Sequence, residues 1–475
     1  MSQVFISAAH KSSGKTTVTI GLCAALRARG LKVQPFKKGP DYIDPMWLGR
    51  ASSRNCHNLD FYTMPCDEIV DTVGYYGQSS DISIIEGNKG LYDGLDLDGS
   101  NSNAALAKLL NAPVVLVLDA RGMTRGIAPL ILGYQQFDPD VRIGGVILNQ
   151  LGGSRHESKL RAVIEHYTDV RVLGAVARHH DMEILERHLG LIPSNEQDDA
   201  DRHIAHIGDS IAQQVDMDAL LALAATAPNP PAPVESPFSI APVGKDLRIG
   251  IARDEAFGFY YPGDLEAMQQ AGAELVSINT LRDEALPDID GLFIGGGFPE
   301  SCMQQLQANR QLRRQIRDAI ENGLPTYAEC GGLMYLARSL SWRDKTCEMV
   351  GVVPGDVSMH ERPQGRGYVR LVETATLPWP AIQPQREIAA HEFHYSRLDN
   401  LEPDASFAFN VIRGAGIDGQ HDGYTYKNLL ACYTHQRSTR NNRWTERFLR
   451  FVADQRTQRH TCIQPISNES KGEST

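Results

Sequence analysis

The sequence predicts an α/β protein with two domains. Short apolar runs alternate with amphipathic stretches through residues 1–222, and a second alternation of the same kind occupies residues 247–454. Continuous apolar runs of this kind are typical of strands buried on both faces. Their alternation with helical patterns predicts βαβ units, and therefore a doubly wound parallel sheet in the N-terminal domain and a second α/β domain after it.

Two segments lack this alternation. Residues 223–246 are rich in Pro and Ala and are predicted to form a partly extended linker. Residues 455–475 are polar and are predicted to form a disordered tail. The expected organisation is therefore domain, linker, domain and tail.

Composition limits the classes of function. The 475 residues are 42% apolar and 22% charged, as in a soluble globular protein of two or three domains. The net charge of −11 disfavours a nucleic-acid-binding protein. No run of about 20 apolar residues predicts a membrane span. The eight Cys show no C-x-x-C pair, which disfavours structural zinc and favours free thiols in the cytoplasm.

A phosphate-binding loop follows the first apolar run. The segment AHKSSGKTT has the G-K-T-T ending of a P-loop, although Ala9 stands where the first Gly is usual. Backbone amides there wrap phosphates, and the next helix points its N-terminus at them. Gly14, Lys15, Thr16 and Thr17 are therefore expected to bind a nucleotide, with the hydroxyl of Thr16 on Mg²⁺.

Carboxylates follow other strand ends of the N-terminal domain. Asp41 and Asp44 lie in the rigid segment GPDYIDP, and Glu86 closes the apolar strand DISIIE, before a loop that contains Asp93. Acids at the carboxyl edge of a parallel sheet can ligate Mg²⁺ or orient a substrate. Taken singly, each acid also fits an ordinary strand-end cap or loop. Asn149 closes a later strand and is assigned to adenine recognition, although strand-end Asn residues are common turn formers.

A candidate nucleophile lies in the C-terminal domain. Cys330 occupies a strand-to-helix turn in YAECGGL, which predicts a nucleophile elbow. The upstream segment GGGFPE is expected to supply oxyanion-stabilising amides. His435, at a distant strand end, is the expected base, and the segment that begins at His391, HEFHYS, holds the other candidates. A buried structural Cys is the alternative.

These residues resemble one known family over nearly the whole chain. The motifs that carry the resemblance to the cobyrinic acid a,c-diamide synthase family are GKTT, FKKGPDYIDP, EGxxGLYDG, GVILNQLGG, ERHLGLIPSNE, ARDEAFGFYYP, GGGFPE, YAECGGLMYL and HEFHYSRL. The family resembles dethiobiotin synthetase in its N-terminal half and a class I glutamine amidotransferase in its C-terminal half. The resemblance to this family implies that the chain uses ATP and glutamine to amidate the a and c acetates of a tetrapyrrole through an acyl phosphate.

The resemblance also implies roles for individual residues. It assigns ATP and Mg²⁺ to Lys15 and Thr16, and glutamine hydrolysis to Cys330 with His435. It nominates no third triad acid, because the family generally lacks one. The residues expected to hold metal, phosphate or substrate carboxylate are Asp41, Asp44, Glu86 and Asp93.

The chain departs from the family pattern at three places. Asn88 and Lys89, in the segment EGNKGLYDG, stand where the family has Val and Met. Gly258 replaces a Cys, and Gln436 with Arg437 replaces a Leu-His pair. A cation at position 89 could meet the carboxylate of a different ring. A siroheme or sirohydrochlorin amidase is therefore retained as an alternative, with Lys89 as a candidate substrate residue.

Two further classes of function are disfavoured by the sequence. A partitioning-type P-loop protein normally has a Lys at the position of His10, and the Cys330–His435 pair also disfavours that class. A cobyric acid synthase is disfavoured by the GPDYIDP and AFGFYY segments. The expected partners are glutamine and a tetrapyrrole, and a homodimer is retained as the assembly.

Overall fold

The computed structural model describes residues 2–182, 184, 186–187, 190–196, 199–228, 233, 235–243, 246–380 and 386–463. The chain divides into two compact units. The first unit comprises most of the chain up to Phe238 together with residues 261–263 and 439–441, and the second unit comprises the rest.

The first unit contains a seven-stranded parallel sheet with the strand order β3-β2-β4-β1-β5-β6-β7. Its elements are β1 (Ser2–Ala8), α1 (Lys15–Ala28), β2 (Val33–Lys38), α2 (Ile43–Ser52), β3 (His57–Leu59), α3 (Cys66–Gly77), β4 (Ile82–Glu86), α4 (Asn103–Leu109), β5 (Val114–Asp119), α5 (Ile127–Phe137), β6 (Ile143–Leu151), α6 (Ser154–Tyr167), β7 (Val172–Ala177), β8 (Glu186–Arg187), β9 (Gly190–Leu191), α7 (Ala200–Gln214) and α8 (Met217–Ala224). The predicted parallel sheet is confirmed.

The strand order explains where the first unit gathers its polar residues. β1 pairs with β4 on one side and with β5 on the other, so the chain changes direction across the sheet beside β1. The carboxyl ends of β1, β2 and β4 meet at one edge, and ligands of open α/β sheets bind at such a switch point. This edge therefore holds the P-loop, residues 39–44 and Glu86.

The second unit contains a nine-stranded mixed sheet with the order β12-β10-β13-β15-β24-β23-β22-β19-β20, and smaller sheets of β11-β14 and β17-β16-β18-β21. Its elements are β10 (Leu247–Ala252), β11 (Phe257–Phe259), α9 (Pro262–Gln270), β12 (Ala273–Ile278), β13 (Gly291–Ile294), β14 (Gly296–Gly297), α10 (Met303–Ala308), α11 (Arg310–Glu321), β15 (Thr326–Glu329), α12 (Gly331–Leu336), β16 (Ala337–Trp342), β17 (Lys345–Glu348), β18 (Val353–Met359), β19 (Gly365–Glu373), β20 (Glu387–His394), β21 (Ser396–Asp399), β22 (Ser406–Arg413), β23 (His421–Tyr426), β24 (Leu429–Cys432) and α13 (Trp444–Ile463). The α/β class predicted for this part is confirmed.

One pairing in the second sheet determines its chemistry. β15 and β24 are parallel neighbours, with Glu329 opposite Cys432. Since parallel strands end at the same edge, the residues that follow them lie close together. Cys330 follows β15 and His435 follows β24, so strands far apart in sequence bring the two residues to one place.

The first unit extends past the expected boundary at 222, which falls inside α8. The Phe238 ring is buried and stacks on the His57 ring with 5.9 Å between centroids. The linker expected from the Pro- and Ala-rich composition is therefore divided, because Phe238 belongs to the first unit and the residues from Ser239 onward belong to the second. Residues 229–232, 234 and 244–245 of that linker lie outside the described residues.

The last helix also differs from expectation, since α13 continues past the expected boundary at 454 to Ile463. Its first turns are anchored by buried Trp444, Phe448 and Val452. The following Gln and Arg residues are good helix formers, which explains why a polar segment continues the helix. The rest of the expected tail, 464–475, lies outside the described residues. Within the described part, no helix has both the length and the apolarity to cross a bilayer.

Candidate active sites

The P-loop has the backbone geometry that its sequence predicts. Gly14 lies at the N-cap of α1 with φ 77°, in the left-handed region that favours glycine. A Cβ on Gly14 would lie 2.2 Å from Nδ2 of Asn149, so this position also requires glycine for space. Asn149 donates from Nδ2 to the carbonyl of Ser13 at 2.9 Å. In this structure the residue assigned to adenine contacts the loop backbone.

Thr16, Asp44 and Glu86 converge beside the P-loop. Oγ1 of Thr16 is 2.9 Å from Oε1 of Glu86 and 3.3 Å from Oδ2 of Asp44. Nζ of Lys15 is 3.7 Å from the same Glu86 oxygen. Burial lowers the pKa of Lys15, against the opposing effect of Glu86. The structure thus brings together the three side chains that the sequence assigned to a metal, and Thr17 follows them in the first turn of α1.

Lys37 is a further member of this cluster that the sequence analysis did not nominate. Its ammonium is 2.5 Å from Oε1 of Glu86, contacts the carboxylate of Asp44, and is 3.9 Å from Oδ2 of Asp41. Burial opposes the charge on Lys37, but Asp44, Glu86 and Asp41 outweigh it and raise its pKa. The available signal was its spacing of four and seven residues before the two Asp in FKKGPDYID.

The two Asp of the GPDYIDP turn have different environments. Oδ1 of Asp41 accepts the amides of Ile43 at 3.0 Å and Asp44 at 3.1 Å, which fixes the start of α2. Burial and the charge of Asp44 raise the pKa of Asp41 to about 7. Burial opposes ionisation of Asp44 as well, but Lys37 and Lys15 lower its pKa. Asp44 therefore remains an anion near neutral pH.

A basic rim lies next to these acids. Lys38 is buried and donates from Nζ to Oδ1 of Asn88 at 3.3 Å. Burial lowers the pKa of Lys38 to about 8, with Lys89 and Lys37 acting in the same direction against Asp60. Lys89 itself is exposed and has φ 42°.

Asp93 shapes the loop that carries Lys89. Its Oδ2 accepts the amide of Gly90 at 2.9 Å. A Cβ on Gly90 would lie 2.6 Å from the carbonyl oxygen of Ala9 in the P-loop. This loop therefore packs directly against the nucleotide loop, and Asp93 stabilises its turn.

Cys330 has the strained backbone expected of a nucleophile elbow. Cys330 lies between β15 and α12 and has a φ of 48° and a ψ of −102°. Its amide donates to the carbonyl of Cys432 at 2.7 Å. A Cβ on Gly332 would lie 2.3 Å from the carbonyl oxygen of Ile294, so only glycine lets α12 start this close to the neighbouring strand. Backbone strain of this kind is concentrated at functional sites.

His435 contacts both Cys330 and a carboxylate. Its Nδ1 is 3.2 Å from Oε2 of Glu329, and its ring also hydrogen-bonds the Cys330 thiol. Burial alone would lower the pKa of His435, but the Cys330 and Glu329 hydrogen bonds raise it to about 10. The sequence motifs point to no third acid, so Glu329 is a candidate functional residue that only the structure reveals.

His391, from the alternative segment, lies against the same histidine. The two rings stack with 5.0 Å between centroids, and the two backbones form an antiparallel bridge. Burial and the neighbouring His435 hold the pKa of His391 well below its ordinary value. The structure therefore brings both candidate bases together, with His435 next to the thiol.

The Gly-rich strand end also lies at this site. A Cβ on Gly296 would be 2.6 Å from Cε1 of His435, and one on Gly331 would be 3.0 Å from the amide nitrogen of Gly297. The amide of Gly295 donates to the Tyr260 hydroxyl at 2.9 Å, so this amide of the GGGFPE segment already has an acceptor.

Comparison with known proteins separates the chain into the same two functions. Residues 5–192 match the family described as the CobQ/CobB/MinD/ParA nucleotide binding domain. Residues 248–443 match the CobB/CobQ-like glutamine amidotransferase domain.

Full-length relatives decide the family. A protein of Magnetococcus marinus named cobyrinate a,c-diamide synthase is 48% identical, covering 91% of this chain and 93% of the relative. Proteins of the same name from Methanosarcina acetivorans and Archaeoglobus fulgidus are each 42% identical, covering 91% of this chain and 92% and 93% of theirs. The chain belongs to the cobyrinate a,c-diamide synthase family. It is a glutamine-dependent, amide-forming ligase with a nucleotide-binding domain, and the partitioning-type rival is set aside.

Proposed function

We propose that this enzyme amidates the a and c acetate carboxylates of cobyrinate, with ATP as the activating nucleotide and glutamine as the nitrogen donor. The observation that carries the proposal is that relatives named for this reaction match over both halves of the chain. A carboxylate is a poor electrophile, so ATP first converts it to an acyl phosphate. Ammonia then displaces phosphate and forms the amide.

The residues of the first unit suit Mg²⁺ with ATP. Oε2 of Glu86 is buried and has no hydrogen-bond partner among the described residues, so it can accept a ligand without losing a contact. No group of three or more His, Cys, Asp or Glu in the described part could hold a metal by itself. Thr16, Asp44 and Glu86 would therefore hold Mg²⁺ together with phosphate oxygens and water. The ion would neutralise charge on the transferring phosphoryl group.

The protein groups around this position supply the remaining electrostatics. The P-loop amides and Lys15 bind the phosphates, and Lys37 adds a buried positive charge next to Asp44 and Glu86. Asp41, Asp93 and Lys89 are the proposed contacts of the substrate side chain, with Lys38 beside them. Asn149 supports the P-loop through Ser13 and is retained for adenine.

The second unit is proposed to release the ammonia. The Cys330 thiolate attacks the amide carbon of glutamine and forms a C–S bond, His435 supplies the proton to the leaving nitrogen, and the C–N bond breaks to release ammonia and leave a thioester. Water then hydrolyses the thioester to glutamate and restores the thiol. The amides of Gly296 and Gly297, next to Gly331, are the proposed oxyanion donors.

Substrate choice is tested by measuring ADP release and amide formation with cobyrinate and siroheme side by side. We expect turnover with cobyrinate at a kcat/KM at least tenfold above that with siroheme, on the order of the discrimination that a few pocket contacts supply. A higher kcat/KM with siroheme would favour the alternative amidase and overturn the proposed substrate.

The loop departures provide a second test of ring choice. Asn88 contacts the buried Lys38, and Lys89 raises the positive charge nearby. We expect Asn88→Val with Lys89→Met to change the cobyrinate-to-siroheme ratio of kcat/KM by about fivefold, because one partly screened ion pair is worth about 1 kcal/mol. The KM for ATP should change little.

The matched control is Lys159→Met, which removes an exposed lysine from α6. It should leave the ratio unchanged. If the double variant behaves like this control, or affects only ATP binding, positions 88 and 89 are ordinary loop residues.

A further inference from the structure

Glu329 lies at the centre of a buried hydrogen-bond network. Its Oε1 accepts the Tyr327 hydroxyl at 2.5 Å and the amide of Gln436 at 2.9 Å. Its Oε2 is 3.2 Å from Nδ1 of His435. Both side chains of this last pair are less than 5% exposed. Two donors thus fix one carboxylate oxygen, which directs the other oxygen at the histidine ring.

We infer that Glu329 is a positioning residue of the amidase, which orients the His435 ring toward Cys330 from an unusual place in the chain. The inference rests on the proposed role of Cys330 and His435 in glutamine hydrolysis. Glu329 precedes the nucleophile and ends β15, and the parallel pairing of β15 with β24 carries it to His435. A carboxylate on Nδ1 fixes the tautomer, leaves Nε2 for the thiol, and stabilises the imidazolium.

A residue that departs from the family pattern extends this support. Gln436, in place of the family's Leu, donates from Nε2 to the Tyr327 hydroxyl at 3.2 Å. Its Oε1 accepts Nδ2 of Asn442 at 3.2 Å. A leucine could form neither bond. In this chain the Gln436 side chain therefore adds a hydrogen bond that holds Tyr327, which in turn holds Glu329.

The groups that face His435 determine how its charge responds to pH. They are the Cys330 thiol, the Glu329 carboxylate and the stacked ring of His391, whose own pKa is lowered by burial, His435 and Arg437. Because the pKa of His435 is raised, its ring remains a protonated imidazolium at pH values below that pKa. The ring loses this proton as the pH rises through the pKa. Removing the Glu329 charge lowers the pKa of His435, so the imidazolium next to Cys330 is lost at a lower pH.

The test is the pH dependence of glutamine hydrolysis by Glu329→Gln in the full-length enzyme. We expect kcat to fall by about 100-fold or more, as when the acid behind a catalytic histidine becomes an amide. The alkaline limb of the profile should move to lower pH, and Glu329→Asp should restore part of the activity. Synthesis with free ammonia should stay at the wild-type rate. An unmoved limb with wild-type kcat would overturn the inference.

Asp422→Asn is the matched control. Asp422 is another buried carboxylate, and it accepts the amides of Tyr433 at 3.0 Å and Thr434 at 2.9 Å, just before His435. Its loss should reduce thermal stability without moving the alkaline limb. If both variants move the limb equally, Glu329 acts only through general packing, and the inference fails.

Milder variants keep the inference testable if Glu329→Gln fails to fold. Tyr327→Phe removes a donor to the carboxylate, and Gln436→Leu removes the side-chain contact that holds Tyr327. Each should lower kcat by about twofold to tenfold, the equivalent of the net contribution of one hydrogen bond. Wild-type kcat in both would overturn the inference. Glutamine hydrolysis by Cys330→Ala distinguishes failure of the Glu329 inference from failure of the proposed amidase function. Activity in that variant would refute the amidase assignment itself.

Discussion

Cys330→Ala should abolish glutamine-dependent amidation and leave amidation with free ammonia close to the wild-type rate. The thiol serves only to release ammonia, so external ammonia replaces its product. Loss of a catalytic nucleophile lowers the rate by about 10⁴-fold to 10⁶-fold. The measurement is amide formation with each nitrogen donor, together with glutamate release. The variant should release no glutamate from glutamine, while ADP still forms when ammonia is the nitrogen donor.

Cys347→Ala is the matched control for this result. Cys347 is a buried free thiol in β17 of the same unit. It should retain both activities, apart from the modest loss of stability that a small cavity causes. Equal loss with glutamine and ammonia in Cys330→Ala would contradict the division of labour between the two units.

The edge of the first sheet was predictable from sequence because its chemistry follows strand ends. Lys15, Thr16, Asp44 and Glu86 come directly after apolar runs or a few residues beyond them. Parallel strands bring such positions to one edge whatever their order in the sheet. Lys37 could not be predicted in this way because it lies inside β2, and a lysine is not normally expected inside a buried strand. Only the pairing of β2 with β4 shows that Lys37 faces Glu86.

The amidase site was predictable in its nucleophile and base but not in its acid. Cys330 has a local signature, since Gly residues follow it and a strand precedes it. His435 could be proposed as a strand-end histidine. Glu329 adjoins Cys330 in sequence, yet neighbouring strand residues point to opposite faces, so sequence alone gives no reason to direct it at the histidine. The strained φ and ψ of Cys330, together with the β15–β24 pairing, create that contact.

Lys15→Ala should abolish synthesis with either nitrogen donor, because ammonia cannot react with a carboxylate that has not been activated. Removal of one donor that stabilises transition-state charge lowers kcat by about 100-fold to 1,000-fold. The measurement is ADP and amide formation with ammonia, with glutamine hydrolysis followed separately by glutamate release. Glutamate should still form, since Cys330 and His435 belong to the second unit.

Lys159→Ala serves as the control for Lys15→Ala, because it deletes an exposed lysine of the same unit that takes part in neither site. It should retain synthesis with both donors. Lys15 differs from it in being mostly buried, 3.7 Å from a Glu86 oxygen and next to Thr16 at the start of α1. Its loss therefore removes a positive charge where phosphate charge would develop. Ammonia-dependent synthesis near the wild-type rate in Lys15→Ala would mean that the P-loop does not bind the reacting nucleotide.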